Sequence, residues 1–123
     1  MEIVLFDKKG EPLRVQFEVK NGVLAVAYYI KLAEKNSNQA VAVYEGDNQN
    51  PDDDIFYLPN PVSSNEGRLL RLSADFKALD LNLSKTYLIA FEIYQGNSLL
   101  KSIEAEGDLT SSVQRILLFA QLI

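Results

Sequence analysis

The chain has 123 residues, the length of one domain, because a domain typically contains about 100–200 residues. Its residues are 47% hydrophobic and 24% charged, which is ordinary globular usage and excludes wholesale disorder. The net charge of −5 disfavours binding to nucleic acid or to an anionic membrane surface. Histidine, cysteine and tryptophan are absent, which excludes Ser-His-Asp and Cys-His catalysis and most zinc, haem and iron–sulfur ligation.

The clearest early element is residues 13–20 (LRVQFEVK), where apolar and polar side chains alternate as in a strand with one buried face. The dipeptide Asn21-Gly22 follows, and it favours a type I′ turn, in which both central residues need positive φ. We therefore expect a hairpin with a second strand at residues 23–32, which places Phe17 opposite Val26.

The second strand is apolar on both faces. One face continues the buried row of the first strand, from Leu24 to Leu32. The other face is small and apolar where a solvent-facing side is usually polar, and it consists of Val23, Ala25, Ala27 and Tyr29. Two alternatives stay open: another element covers this face, or the face contributes to a partner surface.

Further short strands are separated by turn-rich stretches, as in an all-β sandwich or barrel. They are predicted at residues 3–6, 40–44, 55–58, 68–73, 87–95 and 99–105. In the late hairpin, pairing of Tyr94 with Leu99 sets Glu92 opposite Lys101, and we expect a bulge or an early strand end beyond that pair. We predict a single antiparallel β-sandwich domain over residues 1–123, with about seven to nine strands.

Two segments fit more than one structure. Residues 74–81 (ADFKALDL) suit a helical turn or an irregular crossover. The C-terminal segment SSVQRILLFAQLI fits helical spacing, but we favour a strand because its neighbours are predicted strands. As a strand, it places Ile116, Leu118, Ala120 and Leu122 on one face and Leu117, Phe119 and Ile123 on the other.

The run LDLNLSKTYLIAFEIY at residues 79–94 resembles the entry to the penultimate strand of immunoglobulin-like and fibronectin-III-like domains. The resemblance implies that Leu81 or Leu83 is the leucine before the corner. It also implies that Tyr87 is a corner tyrosine, with its ring in the core and its hydroxyl capping a backbone group. It implies architecture alone, because this fold hosts unrelated functions.

The densest polar feature is the loop EGDNQNPDDD, in which Asp47–Asp54 offers many oxygen ligands of the kind that Ca²⁺ prefers. Its spacing departs from the EF-hand pattern, so we expect a solvated acidic turn, with a weak cation site as an alternative. Glu92, Glu104 and Glu106 are carboxylates on predicted strands, and we interpret them as an exposed strand face rather than a glycosidase pair.

These observations predict a non-enzymatic protein-interaction or scaffold module, without catalytic, cofactor or metal residues and without cofactors. The expected partner is a protein or a second copy, as a homodimer through the C-terminal strand, because its apolar surface and that of Val23, Ala25 and Ala27 lack evident covers. The alternative is a carrier of small apolar molecules in a closed β-barrel, with Phe17, Tyr28, Phe91 and Ile93 lining the cavity. We predict a cytoplasmic location, because the chain shows neither a signal peptide nor a membrane span.

Overall fold

A computed structural model describes residues 1–48 and 55–123 and shows an all-β fold. The strands within these ranges are β1 (Glu2–Val4), β2 (Leu13–Asn21), β3 (Leu24–Ala33), β4 (Ala40–Asp47), β5 (Ile55–Tyr57), β6 (Leu69–Ala78), β7 (Thr86–Gln95), β8 (Ser98–Asp108) and β9 (Gln114–Leu122). A short 3₁₀ helix, Val62–Asn65, precedes β6.

The strands form two sheets that pack as a sandwich, which confirms the predicted fold class. One sheet has five strands in the order β1-β9-β6-β3-β4, and the other has four in the order β5-β2-β7-β8. All described pairings are antiparallel except that of β1 with β9, which is parallel. The two sheets do not close into a barrel.

The predicted hairpin of the first two long strands is wrong. β2 pairs with β5 and β7, whereas β3 pairs with β4 and β6 in the other sheet. A type I′ turn needs positive φ at two residues, but only Gly22 has it, at 106°, while Asn21 still belongs to β2. The chain therefore crosses between the sheets at Gly22.

Aromatic rings from both sheets fill the interior. Phe17 of β2 stacks on Tyr28 of β3 with ring centroids 4.2 Å apart, and Phe91 meets Phe17 edge-on at 5.2 Å. Phe56 of β5 closes the same group at 6.0 Å from Tyr28. Phe17 and Tyr28 are thus buried as the alternation predicts, but they face each other across the sandwich. The closed barrel predicted for the alternative function is wrong, because the two sheets stay open. The residues predicted to line its cavity, Phe17, Tyr28, Phe91 and Ile93, are packed in the core.

The late hairpin contains a bulge, but it lies closer to the turn than predicted, and it changes one predicted pair. Tyr94 lies opposite Leu99 as predicted, but Lys101 lies opposite Ile93, so that Leu100 is the extra residue. The predicted pair of Glu92 with Lys101 is therefore wrong, and Glu92 lies opposite Ser102. The shift turns Ile103 into the core opposite Phe91.

Strands β6 and β9 contain the two segments whose sequence fits more than one structure. Residues 74–78 continue strand β6, so a helical turn there is wrong, and the C-terminal segment is strand β9 as favoured.

Tyr87 packs its ring on Phe76, with centroids 4.6 Å apart. In the described ranges its hydroxyl makes no hydrogen bond and lies beside Gly107, so the implied backbone cap is not found.

Candidate functional site

Both apolar surfaces noted in the sequence lie on the outer face of the five-stranded sheet. Val23 is 41% exposed and Leu117 and Phe119 are 43% and 38% exposed. Ala25 and Ala27 alternate outward on β3, away from the buried Leu24, Val26 and Tyr28. Of the two alternatives for this face, a cover from another element does not occur within the described chain.

This outer face can be divided into three cross-strand rows, which run from β9 through β6 and β3 to β4. Row 1 is Arg115, Asp75, Ala27 and Asp47; row 2 is Leu117, Ser73, Tyr29 and Glu45; row 3 is Phe119, Arg71, Lys31 and Val43. Side chains within one row are neighbours, because directly opposed residues have Cβ atoms about 5 Å apart. Row 3 is basic with apolar ends, and row 1 has a net negative charge.

An ion pair fixes one end of row 1. The Arg115 guanidinium donates from Nε and Nη2 to the two carboxylate oxygens of Asp75, at 2.6 and 2.9 Å. This hydrogen-bonded guanidinium lowers the pKa of Asp75 below its ordinary value. Asp75 therefore remains charged in mildly acidic solution, and the face keeps a carboxylate beside Ala27.

The small side chains of β3 leave a shallow hollow of about 320 Å³ at this end of the face. Ala25 and Ala27 form part of its lining, together with Asp47, Lys77 and Val113. Val113 is 66% exposed, so the hollow joins an apolar side chain to the small residues of the sheet. A protruding side chain of a partner would fit such a hollow.

The three carboxylates considered for catalysis lie on the outer face of the other sheet. Lys20 Nζ lies 3.1 Å from Glu104 and 3.8 Å from Glu92, and Glu106 lies further along β8. Glu92 is buried, and the hydrogen bond that its protonated form donates to Glu18, together with burial, raises the pKa of Glu92 above the ordinary value.

This arrangement suits a structural role for the carboxylates. Glu92 lies beside Glu18 of the adjacent strand, and the Lys20 ammonium lies 3.8 Å from the Glu92 carboxylate. Ser102, opposite Glu92, has a buried Oγ without a hydrogen-bond partner in the described ranges. No group of three or more acidic, histidine or cysteine side chains in residues 1–48 and 55–123 is arranged to hold a metal ion.

Most of the predicted acidic loop, at residues 49–54, lies outside the described residues. Asn48, near the start of the loop, has a structural role, because its Oδ1 accepts a hydrogen bond from the Val26 amide at 2.9 Å. Asn48 Nδ2 donates to the carbonyl of Leu24 at 2.7 Å. The Asn48 side chain thereby substitutes for strand partners beyond the end of β4.

An open sheet edge beside β1 is the feature that sequence reasoning missed. β1 pairs with β9 only at residues 120–122, so the edge of β9 at residues 114–119 has no neighbouring strand within the described chain. A pocket of about 300 Å³ lies between this edge and β8. Its lining is Met1, Glu2, Ile103, Glu104, Leu117, Leu118 and Phe119. Alternation alone predicts a strand at residues 3–6 but carries no signal for its partner.

Comparison with protein-family models, curated proteins and solved structures finds no match. No helix in the described ranges is long and apolar enough to cross a membrane.

Proposed function

We propose that this protein is a non-enzymatic interaction module of immunoglobulin-like architecture, which forms a homodimer through the outer face of the five-stranded sheet. The observation that carries the proposal is the set of exposed apolar side chains in rows 2 and 3. Leu117 and Phe119 on β9 and Val43 on β4 are each 38–45% exposed. Apolar clusters of this kind on a sheet face are typical of interaction surfaces.

The charges of the face support a second copy as the partner. A two-fold interface brings the same surface together twice, so it must be self-complementary. An axis that lies across the strands at row 2 sets row 1 of each copy against row 3 of the other. Asp75 then meets Arg71 of the second copy, and Leu117 meets its own equivalent near the axis. Glu45 of row 2 also meets its own equivalent, but it lies on the edge strand β4 and is exposed.

Sedimentation over a concentration series tests the proposal, with Leu117→Asp as the disrupting variant. We expect the natural chain to dimerise and Leu117→Asp to remain monomeric at the same concentrations, because the substitution replaces an apolar contact by a second pair of like charges on the axis. Leu99→Asp is the matched control, because Leu99 is 49% exposed on β8 of the other sheet.

A second variant separates the face from the neighbouring edge of β9. Val43→Asp changes row 3 on β4, at the opposite side of the sheet, and should also weaken the dimer. A chain that stays monomeric throughout the series would exclude the homodimer. A dimer that Leu99→Asp disrupts and Leu117→Asp preserves would move the interface to the other sheet.

A further inference from the structure

The crossing between the two sheets contains a chemically labile dipeptide. Asn21-Gly22 is the one place in the sequence where glycine follows asparagine. The main-chain nitrogen of the following residue can attack an asparagine carboxamide, and glycine has no Cβ that shields this nitrogen. Asn21 is the last residue of β2, and Gly22 lies between β2 and β3, outside both strands. The dipeptide is therefore a candidate for deamidation in the folded chain.

The backbone at position 22 requires glycine. Gly22 has a φ of 106°, in a region that residues with a Cβ rarely adopt. A Cβ at this position would also lie 3.0 Å from the carbonyl oxygen of Thr86. Because the crossing depends on glycine here, it also retains the residue that makes the Asn21 side chain reactive.

The surroundings of Asn21 leave its side chain accessible. Asn21 is exposed, and its Nδ2 donates a hydrogen bond to Thr86 Oγ1 at 2.9 Å. The ladder of β2 with β7 shifts register between Val19 and Asn21, so an irregularity separates Asn21 from the rest of the ladder. Exposed hydrogen bonds at the end of a strand open locally without global unfolding. Such opening lets the Asn21 carboxamide approach the Gly22 nitrogen.

We propose that Asn21 is a modification site, at which the folded protein loses the side-chain amide and gains a carboxylate. The Gly22 nitrogen loses its proton and bonds to Asn21 Cγ, while the Cγ–Nδ2 bond breaks and the side-chain nitrogen takes up a proton and leaves as ammonia. Water then opens the cyclic imide. Cleavage at Cγ gives aspartate with the normal main chain, whereas cleavage at the main-chain carbonyl carbon gives isoaspartate, whose main chain passes through Cγ. This inference is independent of the homodimer, because Asn21 belongs to the four-stranded sheet.

The two products differ in their effect on the crossing. Aspartate keeps the length of the main chain, and its carboxylate can accept a hydrogen bond from the Thr86 hydroxyl in place of the lost amide donor. Isoaspartate adds one methylene to the main chain between two fixed registers, since Val19 pairs with Ile89 on one side and Leu24 pairs with Ala78 on the other. We therefore expect isoaspartate to destabilise the fold and aspartate to leave its stability nearly unchanged.

The test incubates the full chain in mildly alkaline buffer, with and without urea, and follows each asparagine by peptide mapping with mass spectrometry. Alkaline buffer favours the reaction because the attacking nitrogen must lose its proton. Asn97 is the internal control, because it is also exposed, in the turn between β7 and β8, but is followed by Ser98. We expect Asn21 to lose its amide in both samples, and before Asn97. Loss at Asn21 in urea alone, or earlier loss at Asn97 in the folded sample, would overturn the proposal.

Urea unfolding of the separated products tests the expected effect on the crossing. Asn21→Asp carries the aspartate product from the start, and its unfolding midpoint should stay close to that of the natural chain. The isoaspartate form, purified from the aged sample by chromatography, should unfold at a lower urea concentration. Asn97→Asp is the matched control, and it should change neither the midpoint nor the loss of the amide at Asn21. Equal midpoints for the aspartate and isoaspartate forms would overturn the expected effect of the added methylene.

Discussion

The crossing of the chain between sheets at Gly22 can be tested by an engineered disulfide, since the natural chain contains no cysteine. In the structure Glu18 of β2 lies directly opposite Ala90 of β7. Directly opposed residues of antiparallel strands have Cα atoms about 4.5–5.5 Å apart, within the range that a disulfide spans. The double variant Glu18→Cys, Ala90→Cys should therefore oxidise completely in the folded state.

The size of the expected stabilisation follows from the length of the closed loop. Residues 18 and 90 enclose roughly 70 residues, and chain entropy then gives an upper value of about 4.4 kcal/mol for the gain in unfolding free energy. Strain in the native state reduces this value, so we expect a gain of about 2–4 kcal/mol over the reduced form. Urea unfolding with and without reductant measures it, and a thiol assay measures the extent of oxidation.

The matched control pairs Glu18 with Ala25, the partner that the predicted hairpin would give it. In the structure these residues lie on the outer faces of different sheets, so Glu18→Cys, Ala25→Cys should keep two free thiols. Ready oxidation of this control, together with free thiols in the Ala90 variant, would refute the two-sheet arrangement.

Two further predictions concern the core and the buried carboxylate. Phe17→Ala should lower the unfolding free energy by about 3–5 kcal/mol, and a double-mutant cycle with Tyr28→Leu should show coupling of about 0.5–1.5 kcal/mol; additive effects would contradict the 4.2 Å stacking. Glu92 has a raised pKa, so the folded state holds its proton more tightly than the unfolded chain does. Its contribution to stability is therefore complete below about pH 4.5 and lost as the pH rises through the pKa of Glu92 in the folded state. Urea unfolding midpoints measured from about pH 4 to about pH 8 should fall more steeply with pH for the natural chain than for Glu92→Gln. Equal slopes for the two proteins would contradict this prediction.

The sequence predicts the strands well because alternation reports which side chains are buried. Leu13, Val15 and Phe17 are buried as expected, and the strand at the C-terminus has its inward and outward residues as expected. The helical alternative for residues 74–78 fails because β6 lies between β3 and β9, and both neighbours supply a ladder of hydrogen bonds there. Such neighbours come from distant parts of the chain, so a local pattern does not contain them.

The candidate surfaces depend on this long-range pairing. Sequence reasoning identifies the apolar outward residues of β3 and β9 separately, and β6 brings both onto one face. The open edge of β9 is harder to predict, because it depends on the length of the ladder with β1, three residue pairs, and not on any side chain of β9 itself. The bulge at Leu100 acts similarly, since one extra residue decides that Lys101 meets Glu2 instead of Glu92.

The wrong hairpin and the candidate face have a common physical origin. Alternation shows that Phe17 and Tyr28 share an apolar environment, but residues opposed in one sheet and residues facing each other across a sandwich satisfy that condition equally well. If β2 and β3 paired with each other, β2 would take the place of β4 or β6 beside β3. The four-stranded sheet would then lose β2, one of its two central strands. Because the chain crosses at Gly22, β3 instead pairs with β4 and β6. Its second apolar side then faces outward next to Leu117, and the proposed interaction surface follows from this arrangement.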